Sequence, residues 1–83
     1  LSKGGITATM VDTRLLFKNA LAQGATALIL AHNHPSGTLQ PSEADKSITQ
    51  KIIHAGELLD IKVLDHIIVT EKTYFSFADE SML

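Results

Sequence analysis

Residues 25–32, Ala-Thr-Ala-Leu-Ile-Leu-Ala-His, form a short and almost wholly apolar run between Gly24 and a segment containing Pro35, Gly37 and Pro41. The run is too short for a core helix and shows no polar alternation, so it predicts a strand buried on both faces. A strand of that kind needs cover, and the flanking sequence offers it at helical spacing. Upstream, Asp12 stands where an N-cap would, Leu16/Ala20 and Phe17/Leu21 repeat every four residues, and Gly24 provides a C-terminal stop. Downstream, residues 33–41 must be a loop. There, Ser42-Glu43-Ala44-Asp45 opens an amphipathic helix of roughly four to five turns, with Ile48, Ile52, Ala55 and Leu59 on one stripe. Residues 5–11 read as a short strand and 61–69 as a central strand broken only by Lys62, Asp65 and His66. Beyond a turn at 70–73, residues 74–78 read as its hairpin partner.

The order β-α-β-α-β-β predicts a layered α/β domain with a mixed sheet. No repeat, low-complexity tract or linker divides the chain, so 1–83 reads as one domain. Its strands are too few to close a well-covered sheet, and it opens at Leu1 with residues that are already strand-like. It therefore reads as the C-terminal portion of a longer domain whose N-terminal strands are missing from this sequence. A hydrophobic share of 45% and a charged share of 19% exclude a disordered tail. No apolar run approaches the ~20 residues needed to cross a bilayer, and no signal peptide opens the chain. There is no cysteine, hence no disulfide and no thiolate metal site, which fits a cytoplasmic setting. With a net charge of −2 and no Lys/Arg cluster, direct nucleic-acid binding by this segment is not expected.

Four polar residues stand where packing does not require them: His32, His34, Ser42 and Asp45. Residues i and i+2 of an extended chain project to the same side, ~6.5–7 Å apart. Pro35 biases His34 toward that extended geometry. Two imidazoles at the end of a buried strand can therefore reach a common ion, and strand ends are where ligand sites of α/β sheets lie. Asp45, in the first turn of the next helix, is a third candidate ligand. Two His and one carboxylate leave a position open for water, the arrangement of a catalytic zinc site, with iron or manganese as alternatives. A competing reading keeps Ser42-x-x-Asp45 as a capping box alone.

His32-Asn33-His34, then the seven residues from Pro35 to Pro41, Ser42, two further residues and Asp45 match His-x-His-x7-Ser-x2-Asp. This resembles the JAMM signature of the JAB/MPN metalloproteases. The strings His-Asn-His-Pro-Ser-Gly (32–37), Pro-Ser-x-x-Asp (41–45) and Leu-Asp-His-Ile-Ile-Val (64–69), together with Arg14, Phe17, Lys18 and Ala20-Leu21, resemble the bacterial RadC-like branch. The resemblance implies a three-layer, cytidine-deaminase-like fold and one zinc per chain held by His32, His34 and Asp45. It further implies a Ser42 hydroxyl that hydrogen-bonds near the reacting water and stabilises a tetrahedral intermediate, and hydrolysis of a peptide or isopeptide bond in a peptide or protein substrate. It also implies a general-base Glu upstream of the histidines. Here the first glutamate is Glu43, and the one earlier acid is Asp12. These 83 residues alone are therefore expected to bind metal and hydrolyse little or nothing.

Two other readings stand beside the hydrolase. The family carries a DNA-repair association, and a domain without its base could be a non-catalytic interaction module. Asp65 and His66 interrupt an apolar strand; a structural hydrogen bond comes first for both, and a supporting role next to the metal second. His54 reads as a solvated side chain, Ser36 and Gly37 as loop formers, and Tyr74, Phe75 and Phe77 as packing groups.

Overall fold

The computed structural model of the chain describes residues 6–9, 12–34 and 37–83, and side chains from residue 12 onward. Its elements are β1 (Ile6–Thr9), α1 (Thr13–Ala22), β2 (Ala27–Asn33), α2 (Glu43–Leu58), β3 (Lys62–Val69) and β4 (Tyr74–Ser76). They follow the expected order, and the sheet is mixed. β1, β2 and β3 run parallel and β4 is antiparallel, in the spatial order β1-β2-β3-β4. Of the strand expected over 5–11, residues 5, 10 and 11 lie outside the described residues.

Local chemistry sets each boundary. Asp12 caps α1, its carboxylate accepting the Arg14 backbone N–H at 2.8 Å, and Gly24 ends that helix at φ +66°, where a side chain would be strained. Ser42 caps α2 through a full capping box. Its hydroxyl accepts the Asp45 N–H at 3.0 Å, while the Asp45 carboxylate accepts the Ser42 N–H at 2.8 Å.

Both helices pack on one face of the sheet. Leu16, Phe17 and Ala20 of α1 share one buried cluster with Leu28 and Leu30 of β2, Ile52 of α2 and Val63 of β3. The opposite face, carrying Ala27, Ile29, Ala31 and Ile67, is half-buried. One sequence-based expectation is corrected here: among the described residues β2 is fully buried on its helix face only. The described residues build one helix layer and the sheet.

The buried stripe of α2 also differs from the expected one. Asp45, Thr49, Ile52 and Gly56 face inward, whereas Ile48 and Ala55 are half-buried and Leu59 is exposed. The helix can lie this close because Gly56 has no side chain: a Cβ there would overlap the Ile61 carbonyl oxygen. The Ile61 N–H in turn donates to the Gly56 carbonyl at 2.8 Å.

One irregularity matters for the site. Leu28 pairs with Val63, but Ile29 pairs with Asp65, so Leu64 is an extra residue in β3. The bulge resets the alternation, and Val63 and His66, three residues apart, both face the helices.

Candidate metal centre

His32 and His34 sit at the C-terminal end of β2, and the backbone holds them there. His32 is paired with Ile68 of β3, and the His34 N–H donates to the Val69 carbonyl at 3.1 Å. Beyond them the chain turns back through a Gly37 N–H to His34 carbonyl bond of 2.9 Å, with Gly37 at φ +84°. The loop thereby delivers α2 with Asp45 in its first turn, buried and facing both imidazoles.

The three side chains converge. His32 Nδ1 lies 3.3 Å from Asp45 Oδ1, His34 Nε2 lies 3.4 Å from Asp45 Oδ2, and one ligand atom from each residue falls within 4.8 Å of the others. The two rings meet edge to face, centroids 4.6 Å apart. A tetrahedral ion with bonds of ~2.0–2.1 Å separates its ligand atoms by about 3.3–3.4 Å; the two His–Asp45 distances, one to each carboxylate oxygen, match that separation.

The protonation pattern fits as well. His34 Nδ1 lies 2.7 Å from the Thr38 carbonyl oxygen, which can only accept, so Nδ1 carries a proton and Nε2 is the nitrogen turned toward Asp45. His32 Nδ1 is buried and makes no hydrogen bond, a polar atom that a metal ion would satisfy. Burial pushes the Asp45 carboxyl up. The Ser42 N–H and hydroxyl, with His32 and His34 nearby, outweigh that and hold it below the usual carboxylate range. The donor set is thus two imidazole nitrogens and one anionic carboxylate.

Asp45 is both a helix-cap partner and the centre of this cluster, so the two readings of Ser42-x-x-Asp45 coexist. Ser42 is exposed at the rim, its hydroxyl oxygen accepting the Asp45 N–H. His66 is fully buried next to the cluster, its ring stacked 5.9 Å from that of His32. Asp65 is not brought to the site. It faces the other side of the sheet, where its carboxylate accepts from the Ser76 hydroxyl at 2.6 Å and the Ala78 N–H at 3.0 Å and pins the end of β4 and the turn after it to β3.

A cleft of about 310 Å³ opens beside the cluster between α1 and α2, lined by His32 and Asp45 with Asp12, Leu16, Ile48 and Ile52. Asp12 is thus the nearest upstream acid in space as well as in sequence. The Arg14 backbone N–H that it caps draws its carboxyl below the usual range, which makes it a poor base. Glu43 is exposed and pairs with Lys46. Among the described residues no carboxylate is placed as a general base. Thr49, which the sequence reading passed over, bonds to both Asp45 and His66; its signal was its spacing, four residues from Asp45 on the same helix face.

Two histidines at the C-terminal end of one parallel strand and a carboxylate in the first turn of the next helix give this small α/β domain a candidate metal site. The family model of the RadC-like JAB domain matches residues 1–82, and the chain belongs to that family. A UPF0758 protein of Flavobacterium johnsoniae is 65% identical over 82 residues, which is 99% of this chain and 36% of the relative. A UPF0758 protein of Porphyromonas gingivalis is 49% identical over 84 residues, 100% of this chain and 37% of the relative. The UPF0758 protein YfjY of Escherichia coli is 49% identical over 83 residues, 100% of this chain and 52% of the relative. The chain therefore spans between about a third and a half of the length of these curated relatives.

Proposed function

We propose that this domain is the metal-binding part of a zinc-dependent hydrolase of the JAMM type, acting on a peptide or isopeptide bond. The observation that carries the reading is the convergence of His32, His34 and Asp45, one ligand atom from each within 4.8 Å of the others, with His34 Nδ1 held by the Thr38 carbonyl and Nε2 turned toward Asp45. When bound, zinc supplies Lewis acidity for activating water and polarising a carbonyl. His32 and His34 offer nitrogen lone pairs, and Asp45 offsets part of the ion's charge. Ser42, at the rim, donates its hydroxyl proton toward oxygen on which negative charge develops. The apolar walls of the adjoining cleft, Leu16, Ile48 and Ile52, hold a substrate side chain and exclude water from it.

The general base belongs to the longer protein, so hydrolysis is expected of that protein and not of these 83 residues. The cytidine-deaminase-like layering is part of the same proposal, supported by the half-buried apolar outer face with Leu64 and Val69 exposed on the sheet. So is a cytoplasmic location, supported by the absence of cysteine and by the lack, among the described residues, of any helix long and apolar enough to cross a membrane.

A second reading, a metal-binding interaction module without catalysis, is favoured by the lack of a placed base among the described residues. A DNA-repair role is a proposal for the whole protein, to be tested by salt-dependent DNA binding of the full-length chain. Zinc per chain in freshly purified full-length protein, followed by peptide hydrolysis before and after chelation, separates the readings. About one zinc with chelator-sensitive hydrolysis supports the hydrolase, and zinc without hydrolysis supports the module. No zinc in folded protein removes both.

A further inference from the structure

His66 is fully buried, yet the proposed chemistry does not use it. Its ring is sandwiched between Phe77, at 4.3 Å and 13° between planes, and His32, at 5.9 Å and 21°. Its Nδ1 lies 2.7 Å from the Thr49 hydroxyl, which lies 2.6 Å from the Asp45 backbone carbonyl. That carbonyl oxygen can only accept, so Thr49 donates its single proton there, and His66 Nδ1 must be the donor to Thr49. The tautomer is thereby assigned: Nδ1 is protonated, and Nε2 is a buried acceptor without a donor among the described residues. A buried imidazole with one bare nitrogen costs stability that an apolar ring of the same shape would not. Packing alone does not account for a histidine at this place.

What His66 touches accounts for it. Through Thr49 it is tied to the residue whose carboxylate faces both ligand imidazoles, and through its ring it backs His32. We propose that Thr49 and His66 are positioning residues for the metal centre: the bonds from His66 to Thr49 to the Asp45 carbonyl anchor the first turn of α2 to β3, while the His66 ring fixes the plane of His32. The pair holds two of the three ligands, from β2 and from α2, at one mutual distance. This inference rests on the metal-site reading above.

The test is zinc affinity of the full-length protein, measured by competition with a chromophoric chelator, for wild type, Thr49→Val and Thr49→Ser. Removing a partner that orients a ligand lowers affinity roughly 10–100-fold, so Thr49→Val should fall in that range while Thr49→Ser, which keeps the hydroxyl, stays within about threefold of wild type. A purely structural role predicts something else: Thr49→Val loses metal-free stability while binding zinc as tightly as wild type, and that result overturns the proposal. Wild type that binds no zinc overturns the site itself and the relay with it, an outcome distinct from equal binding by wild type and Thr49→Val. Nitrogen-detected NMR of the metal-free wild-type protein tests the same geometry without any variant. Nδ1–H is expected for His66, and an Nε2–H tautomer breaks the chain of bonds and overturns the proposal.

Discussion

Replacing Asp45 with alanine removes two contributions that different conditions separate. The first is the reciprocal half of the α2 capping box, the 2.8 Å bond from the Ser42 N–H to the carboxylate. A cap interaction and the favourable field on an anion in the first turn together stabilise by about 1–2 kcal/mol, and the better helix propensity of alanine returns up to ~0.7. Metal-free Asp45→Ala should therefore lose about 1 kcal/mol. For a domain of this size that is a fall in melting temperature of roughly 4–8 °C. The second contribution exists only with the ion. A ligand at one hundred times its dissociation constant stabilises the state that binds it by ~2.7 kcal/mol, or about 10–20 °C here. Thermal unfolding of this domain's transition in the full-length protein, with chelator and with zinc at that excess, reads both. Wild type should rise by the full amount and Asp45→Ala should not respond. A zinc shift in the variant equal to wild type would refute Asp45 as a ligand. A metal-free loss of several kcal/mol would refute the division into a modest cap and a separate ligand.

Ser42→Ala should cost about 1 kcal/mol through the lost cap and lower hydrolysis by the full-length protein while leaving zinc stoichiometry at wild type; metal analysis beside a peptide assay checks it. Gly56→Ala gains up to ~1 kcal/mol of helix propensity but drives a Cβ into the Ile61 backbone carbonyl, where relief of overlap costs ~1–3 kcal/mol. Urea unfolding should show a net loss of about 1 kcal/mol or more, and a stabilised variant would contradict the close approach. In the metal-free protein, burial together with the nearby His32 pushes the His66 imidazole down to about 4 from its usual 6.5. The folded state keeps it neutral while the unfolded chain takes up a proton. Its contribution is therefore present above pH 6.5 and is lost as pH falls toward 4, by up to about 3 kcal/mol. His66→Phe should flatten that part of the stability profile, and an unchanged slope in denaturant titrations would place the acid sensitivity elsewhere.

The loop, the strand-end histidines and the capping aspartate were legible because each depends on local chemistry: proline and glycine for the turn, extended geometry for His32 and His34, and a first-turn position for Asp45. The phase of α2 was not. Hydrophobicity selects Ile48, Ile52, Ala55 and Leu59 as its inner stripe, yet the helix buries Asp45, Thr49, Ile52 and Gly56. A carboxylate, a hydroxyl and a glycine outweigh three aliphatic residues because their partners come from elsewhere in the chain: the imidazoles of β2, His66 seventeen residues on, and the Ile61 carbonyl. The burial of β2 on both faces was misread for a related reason. Sequence records that a residue is apolar, but not which of its neighbours screens it. Asp65 and His66 were adjacent polar residues with one shared description, and only the sheet separates them, one to each face.

That separation turns on the bulge at Leu64, a side chain nearly half exposed. Because side chains alternate along a strand, a β3 that gave Leu64 a partner of its own would exchange the faces of the two residues after it. A carboxylate would then lie beneath the helices against His32, and the imidazole would look outward toward Ser76. Deleting Leu64 would do the opposite, leaving Asp65 opposite Ile29 and His66 opposite Leu30 in an unbroken ladder. The interior therefore depends on residue 64 staying unpaired, a condition set by the backbone of the strand and not by the leucine side chain.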